Sequence, residues 1–399
     1  MHSNRGMTSY VDILAAFRED LARRDTESFG PVEGSWVQLG VLLAHAAILT
    51  EDPRLETLKA AAQVARELLG PAKWAEGNRL DPSPPADINS LDARIRSITE
   101  AIEDEGALRL ADGILATFLV AHPSCEPLEV GRIEVARARV AWKMGELDVA
   151  RDRIARALAI AETINSDELR VRATIGEALL ARLTGNYPLS EATATAALIV
   201  AQQAQLPRLA GLAHHAIMVA AAVRGRYQDA VAHGWTGFIA ASGDEVLQSE
   251  FLGNIGQLFL DLGHPGTAIA AFEVVVQHNA PSRLLLPALG GLAIAAARRG
   301  DASTLNRTAQ RIEVLSRTAG TPYTIACGLL ELAEAHRTLG DEGEMQRHLV
   351  EVSRLAALHG YNELAYRAEH FIPVAAPERQ ALVPYSEAVA DAVRQLVRV

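Results

Sequence analysis

The chain is short of the residues that most small functional scaffolds rely on. Cys125 and Cys327 are its only cysteines in 399 residues, too few for a disulfide framework or a CxxC metal knuckle. That count fits a reducing compartment, and a cytoplasmic location is expected. Aromatic residues make up only 5% of the chain, which with the scarcity of Gly-rich turns argues against an all-β fold. No N-terminal apolar run has the length and flanks of a signal peptide, and the apolar stretches of the body are broken by charge every few residues. A soluble protein that neither spans nor lies on a membrane is expected. Phosphate-cradling Gly-x4-Gly-Lys-Ser/Thr, the dinucleotide fingerprint, His-Glu-x2-His and Gly-x-Ser-x-Gly are all missing, so no enzyme activity, cofactor or metal site is expected. The formal net charge is −11, which disfavours direct nucleic-acid binding.

What the chain does have is apolar residues, at 49% and rich in Ala, Leu, Val and Ile, a mixture that lets helices approach closely over a long seam. It also has a period. Gly106, Gly145, Gly185, Gly225, Gly263, Gly300 and Gly340 fall 39, 40, 40, 38, 37 and 40 residues apart. Each closes one helix-like stretch and precedes another. A period of about 40 residues with two amphipathic helices per unit points to an α-solenoid, whose units bury apolar faces only against their neighbours.

The clearest unit reads SEFLGNIGQLFLDLG followed by HPGTAIAAFEVVVQ, and here the chain resembles the tetratricopeptide repeat family. That family places a small residue seven before the loop glycine, an aromatic or apolar residue two after it, Ala five after it and a bulky apolar residue nine after it. Around Gly263 those places hold Gly256, Pro265, Ala268 and Phe272, with Pro265 departing from the pattern. Around Gly145 they hold Ala138, Leu147, Ala150 and Ile154; around Gly225, Tyr227 and Ala230 fit while Met218 and Gly234 depart. Leu305 and Met345 replace the small Ala after Gly300 and Gly340. The resemblance implies an all-α fold, a right-handed superhelix of antiparallel helix pairs. A period above the usual 34 implies longer second helices or longer loops between units, as in sensor regions of large bacterial transcription regulators and in some motor light chains.

Four segments are expected. Residues 1–69 hold N-terminal helices, with 35–69 a candidate divergent repeat. Residues 70–90, rich in proline and glycine, read as a linker or long loop. Residues 91–371 form about seven helix pairs. Residues 372–399 end in the amphipathic stretch SEAVADAVRQLVRV, expected to cap the open end of the solenoid, with a detachable partner-binding or dimerisation helix as the alternative.

Candidate chemistry thins on inspection. His214 and His215 are neighbours on a helix and point about 100° apart, so they do not share an ion readily; one packed and one solvated imidazole is expected. Cys327 and His336 are nine residues apart on one helix, and Cys327 is expected to pack as a small apolar side chain. Glu103-Asp104-Glu105 and Asp341-Glu342 are expected as first-turn acids.

One constellation remains. The resemblance implies a concave surface lined by first helices, at positions thirteen, ten, six and three before each loop glycine. These positions give Arg132, Val135, Arg139 and Trp142 before Gly145, and Arg172, Ile175, Leu179 and Arg182 before Gly185. Later units add His215, Glu250, Gln257, Glu334 and Arg337, and Asn254 stands near a clamp-like place. Arginine forks hold carboxylates and phosphates bidentately, so a groove that anchors a peptide or partner protein with acidic groups is expected. The alternative is a salt-bridged face in which local acids such as Glu129, Glu134, Asp167, Glu168 and Glu177 occupy the arginines. The leading expectation is a non-catalytic adaptor; a ligand-sensing regulatory protein or an accessory subunit of a larger enzyme or effector complex is the other. Self-association is left open.

Overall fold

The computed structural model describes residues 99–100, 103, 108–121, 125–278, 280, 282–318, 322–359, 362–371 and 377–397. The expected N-terminal helices, the 70–90 linker and Gly106 lie outside them. Among the described residues there are fifteen α-helices and no strand. They run α1 Leu108–Ala121, α2 Pro127–Lys143, α3 Leu147–Thr163, α4 Asp167–Leu183, α5 Tyr187–Gln203, α6 Pro207–Val223, α7 Tyr227–Ala240 and α8 Glu245–Asp261. Then follow α9 Pro265–Gln277, α10 Ser282–Arg298, α11 Ala302–Thr318, α12 Pro322–Thr338, α13 Glu342–His359, α14 Asn362–Glu369 and α15 Pro384–Leu396.

The 40-residue period has a simple origin. First and second helices are both 17 residues long from α2 to α6, and three residues separate each from the next. Neither longer loops nor a selectively lengthened second helix is needed. Where the glycine spacing drops to 38 and 37, the second helices α7 and α9 shorten to 14 and 13 residues.

The turns use one hydrogen-bond pattern. After α2, the Gly145 N–H donates to Trp142 O at 3.0 Å and the Glu146 N–H to Ala141 O at 2.9 Å, the paired bonds of a Schellman turn. The same pair recurs at Gly185, Gly225, Gly263, Gly300 and Gly340, all with φ between 72° and 82°. Between units the left-handed place is taken by Asn165 (φ 50°) and Gln205 (φ 54°), which bond the same way. Side-chain caps follow: Ser166, Asn186, Asp244, Asp301 and Asp341 each accept from the N–H three residues on. Pro265, the departure from the family pattern, opens α9, where a missing N–H costs nothing.

The described residues fall into two compact units divided between Leu180 and Ala181, within α4. In the first, Ala138, Ala150, Ile154, Ala157, Leu169 and Ala173 make the core, so the positions matched before and after Gly145 are interior ones. In the second, one continuous cluster runs from Met218 to Val393. Its register is set by small residues meeting large ones. The Phe272 ring on α9 lies against Gly256 of α8 and Gly291 of α10, with no room for a Cβ at either glycine.

The C-terminal segment does not lie where an end cap would. Instead α15 packs against α7 and α9, two second helices in the middle of the unit. Val389, Ala390 and Val393 are buried there. Residues 377–383 lead in along the turn at Gly263: Gln380 N–H donates to Leu262 O at 3.0 Å, His264 Nε2–H to Gln380 O at 2.7 Å, and Gln228 Nε2–H to Ala381 O at 3.1 Å. Gly263 serves twice, holding φ 76° and letting the Arg379 backbone pass where a Cβ would stand 2.7 Å from its Cα. The amphipathic α15 buries its own stripe in the same apolar cluster as residues of α7 and α9.

Candidate functional site

The site candidates sit on first helices, where positions a turn or two apart along α4, α6, α8, α10 and α12 share a face. In the first unit the predicted arginines are engaged by acids. Arg132 on α2 donates Nε to Glu168 Oε1 at 3.1 Å and also bonds Glu168 Oε2 and Glu129 Oε1. Arg172 on α4 donates to the same Glu168 Oε1 at 2.8 Å. Burial works against the Glu168 carboxylate, but the two arginines override it and hold its pKa below the usual carboxylate range. Arg139 forks onto Glu103 at 3.0 and 2.8 Å and reaches Glu100 at 3.2 Å. Lys143 joins Glu103 at 2.8 Å. Glu103, expected as a first-turn acid, is thus the buried hub of an ion network, because 36 residues of solenoid return bring Arg139 against it. Trp142 packs on the first unit's core. Of the other acids named from the sequence, Glu134 takes Arg153 and Asp167 takes Arg170.

The second unit presents a different surface. Arg182, near the end of α4, is half-buried. Burial pushes its pKa down, and among the described residues only the Tyr187 hydroxyl opposes this. No carboxylate among the described residues forms an ion pair with it. On α6, His214 and His215 diverge as their spacing implies. His214 is buried and meets His233 of α7, Nδ1 to Nδ1, at 3.0 Å. His215 is half-buried and edge-on to Phe251, with ring centroids 5.7 Å apart, so neither imidazole of the pair is the fully solvated one expected. Asn254 Nδ2 stands 3.3 Å from its Nε2, and Glu250 Oε1 3.6 Å from the same atom. Burial lowers the His215 pKa, Glu250 opposes and Arg182 reinforces the fall. Arg283 of α10 is 3.8 Å from Glu250. This zone offers cations and hydrogen-bond donors.

Further along, the same face turns acidic. Gln257 bonds Asp261 at 3.1 Å on α8, and Glu334 of α12 stands 3.7 Å from Arg298 of α10. Glu331 lies over Gly290 with its Oε2 buried and unpartnered among the described residues. Burial pushes its pKa up to about 8, Glu334 adds to the rise and Arg367 opposes it. Asp261 and Glu334 are also raised, first by burial. Arg337 belongs to this zone through its attraction for Glu334. The face therefore carries Arg182, His215 and Asn254 at one end and a carboxylate group at the other. Asp261, Arg283, Arg298 and Glu331 were not legible as site residues; their only sequence signal was charge on an otherwise apolar helix.

The chain is similar to a Rap protein complexed with Competence and Sporulation Factor, at 12% identity, 90% of this chain, 99% of that one and a TM-score of 0.52. The fold is a tetratricopeptide-like α-solenoid. It is also similar to a signal-transduction ATPase of the STAND class with a tetratricopeptide repeat sensor from Pyrococcus horikoshii, at 12% identity and a TM-score of 0.50 over 90% of this chain. The chain spans 55% of that protein's length. No protein-family profile and no curated protein matches the chain. No described helix is long and apolar enough to cross a membrane.

Proposed function

We propose that this solenoid is a non-catalytic, cytoplasmic binding protein whose first-helix face captures an extended segment of a partner protein or peptide. The supporting observation is Arg182: a half-buried guanidinium on that face to which no described carboxylate is bound. A desolvated arginine beside His215 and Asn254 is placed to accept a carboxylate from a ligand through charge-assisted bonds. Arg132, Arg139 and Arg172 then serve to tie helices together, with Glu168 and Glu103 as their internal partners. The Asp261, Glu331 and Glu334 group suits a basic or hydrogen-bonding side chain further along the same segment. A preformed face leaves most of the ordering cost with the captured segment.

A sensing role is the second reading, favoured because a Rap protein of similar fold is complexed with Competence and Sporulation Factor. Both readings share the Arg182 contact. Selection of a random peptide library on the full chain tests it. A consensus containing Asp, Glu or a free C-terminus, lost in Arg182→Glu and retained in the exposed control Arg151→Glu, supports the proposal. Equal binding by Arg182→Glu places recognition elsewhere and overturns it.

A further inference from the structure

The hairpin α12–α13 carries a cluster that the reading above does not use. His336 sits in the last turn of α12, and Gly340 turns the chain so that Glu344 and His348 on α13 face it. One donor atom from each of His336, Glu344 and His348 lies within 4.8 Å of the others. Both imidazoles are buried, His336 at 5% and His348 at 1% exposure, yet the Nε2 of each has no hydrogen-bond partner among the described residues. An unpartnered buried ring nitrogen forfeits its solvation without return, and here two such nitrogens belong to rings whose centroids are 5.4 Å apart. Glu344 lies at the lip, 41% exposed, which gives an ion a way in.

We infer that His336, Glu344 and His348 form a site for a divalent transition-metal ion, Zn²⁺ by donor preference. Two imidazoles and one carboxylate are the set that suits Zn²⁺ over Ca²⁺ or Mg²⁺, with water as the fourth ligand. Tetrahedral donors about 2.0–2.1 Å from zinc lie roughly 3.4 Å apart, so rotamer adjustment of about an ångström closes the cluster. The Asp341 Oδ2 is 3.5 Å from His336 Nδ1 and is placed to favour the tautomer that leaves the Nε2 lone pair for an ion. Arg347 holds Glu344 Oε2 through its Nε at 2.8 Å, and it also bonds Glu313 at 2.6 Å. Glu313 keeps that guanidinium paired when Glu344 turns toward the ion. In the sequence His336 has only Cys327 as a candidate partner on its own helix, so no metal ligand is expected there. The signal is His336, Glu344 and His348 on either side of a loop glycine, a spacing that becomes a site only once the hairpin closes.

The test is calorimetric titration of the full chain, stripped with chelator, with Zn²⁺ in a non-coordinating buffer. One Zn²⁺ per chain is expected, with binding lost in His336→Gln and His348→Gln. Asp341→Asn should weaken it about tenfold to a hundredfold, and His233→Gln, in the other histidine pair, should leave it unchanged. Because His348 is a core residue, circular dichroism accompanies each variant. If His348→Gln does not fold, the decision passes to the half-exposed Glu344→Gln and to the visible absorption of Co²⁺ bound to the wild-type chain. Intense tetrahedral Co²⁺ bands that disappear in Glu344→Gln sustain the site. No binding, binding untouched by Glu344→Gln, or loss in His233→Gln overturns it.

Discussion

Phe272 shows how single residues set the register of this solenoid. Its ring is 2% exposed and is confined on one side by Gly256 and on the other by Gly291. A Cβ at Gly256 would stand 2.7 and 2.9 Å from ring carbons Cε1 and Cζ, and the ring has no free side toward which to move. Gly256→Ala gains helix propensity worth up to about 1 kcal/mol, while overpacking costs about 1–3 kcal/mol; net destabilisation is expected. Urea midpoints decide the sign, and Gly256→Ala combined with Phe272→Leu should recover most of the loss. A more stable single variant would sink this account. Both residues were legible in the sequence, because the small and bulky places are fixed by distance from Gly263. The fate of the arginines was legible only in part. Glu129 and Glu168 were among the acids that could occupy them, but which arginine meets which acid depends on a neighbour 36 residues away, a distance at which helix packing rather than sequence spacing decides.

At the scale of elements, the glycines marked six described turns correctly, yet every second turn escaped notice. Asn165 and Gln205 adopt the left-handed conformation without being glycine, so composition gave no cue although the hydrogen bonds are the same. The position of α15 was not legible either. An amphipathic helix states that it needs an apolar surface but not which one, and the surface it found belongs to α7 and α9. Its attachment makes a prediction. Burying a valine contributes about 1.5–3 kcal/mol, and an aspartate at Val393, wholly buried among α7 and α9, would also carry an unpaired charge into the core. Val393→Asp should release the helix and speed proteolytic cleavage within 372–383, while helicity falls by no more than the 13 residues of α15. Unchanged cleavage would mean that the backbone bonds of Gln380 and Ala381 hold the segment without its helix. Loss of all helicity would mean that α15 is integral to the unit's core.

For the second unit taken whole, buried titratable groups shape the dependence of stability on pH, and burial is a property no sequence pattern reports. His214, packed against His233, has its pKa lowered to about 4 from the ordinary 6.5, first by burial and then by its neighbour; His233 is lowered also. Between pH 4 and 6.5 the unfolded chain binds protons that the folded one refuses, so stability rises with pH across that window. Glu331 acts in the opposite sense. Its pKa is raised from 4.5 to about 8, so the folded chain holds a proton that the unfolded one has released, and stability falls as pH rises from 4.5 through 8. In the overlap, between 4.5 and 6.5, the lowered histidines His214, His215, His233 and His348 favour a rise while the raised carboxyls Glu331, Glu334 and Asp261 favour a fall. Above 6.5 only the fall remains. An alkaline limb is therefore expected between 6.5 and 8, with a slope on the order of 1 kcal/mol per pH unit for one proton. Glu331→Gln imitates the protonated side chain and should flatten that limb, growing more stable than wild type as pH rises and matching it below 4.5. Denaturant midpoints measured across this range for the two proteins separate the cases. Parallel curves would show that Glu331 reaches water in the folded chain, and that the acidic end of the first-helix face is charged when a ligand arrives.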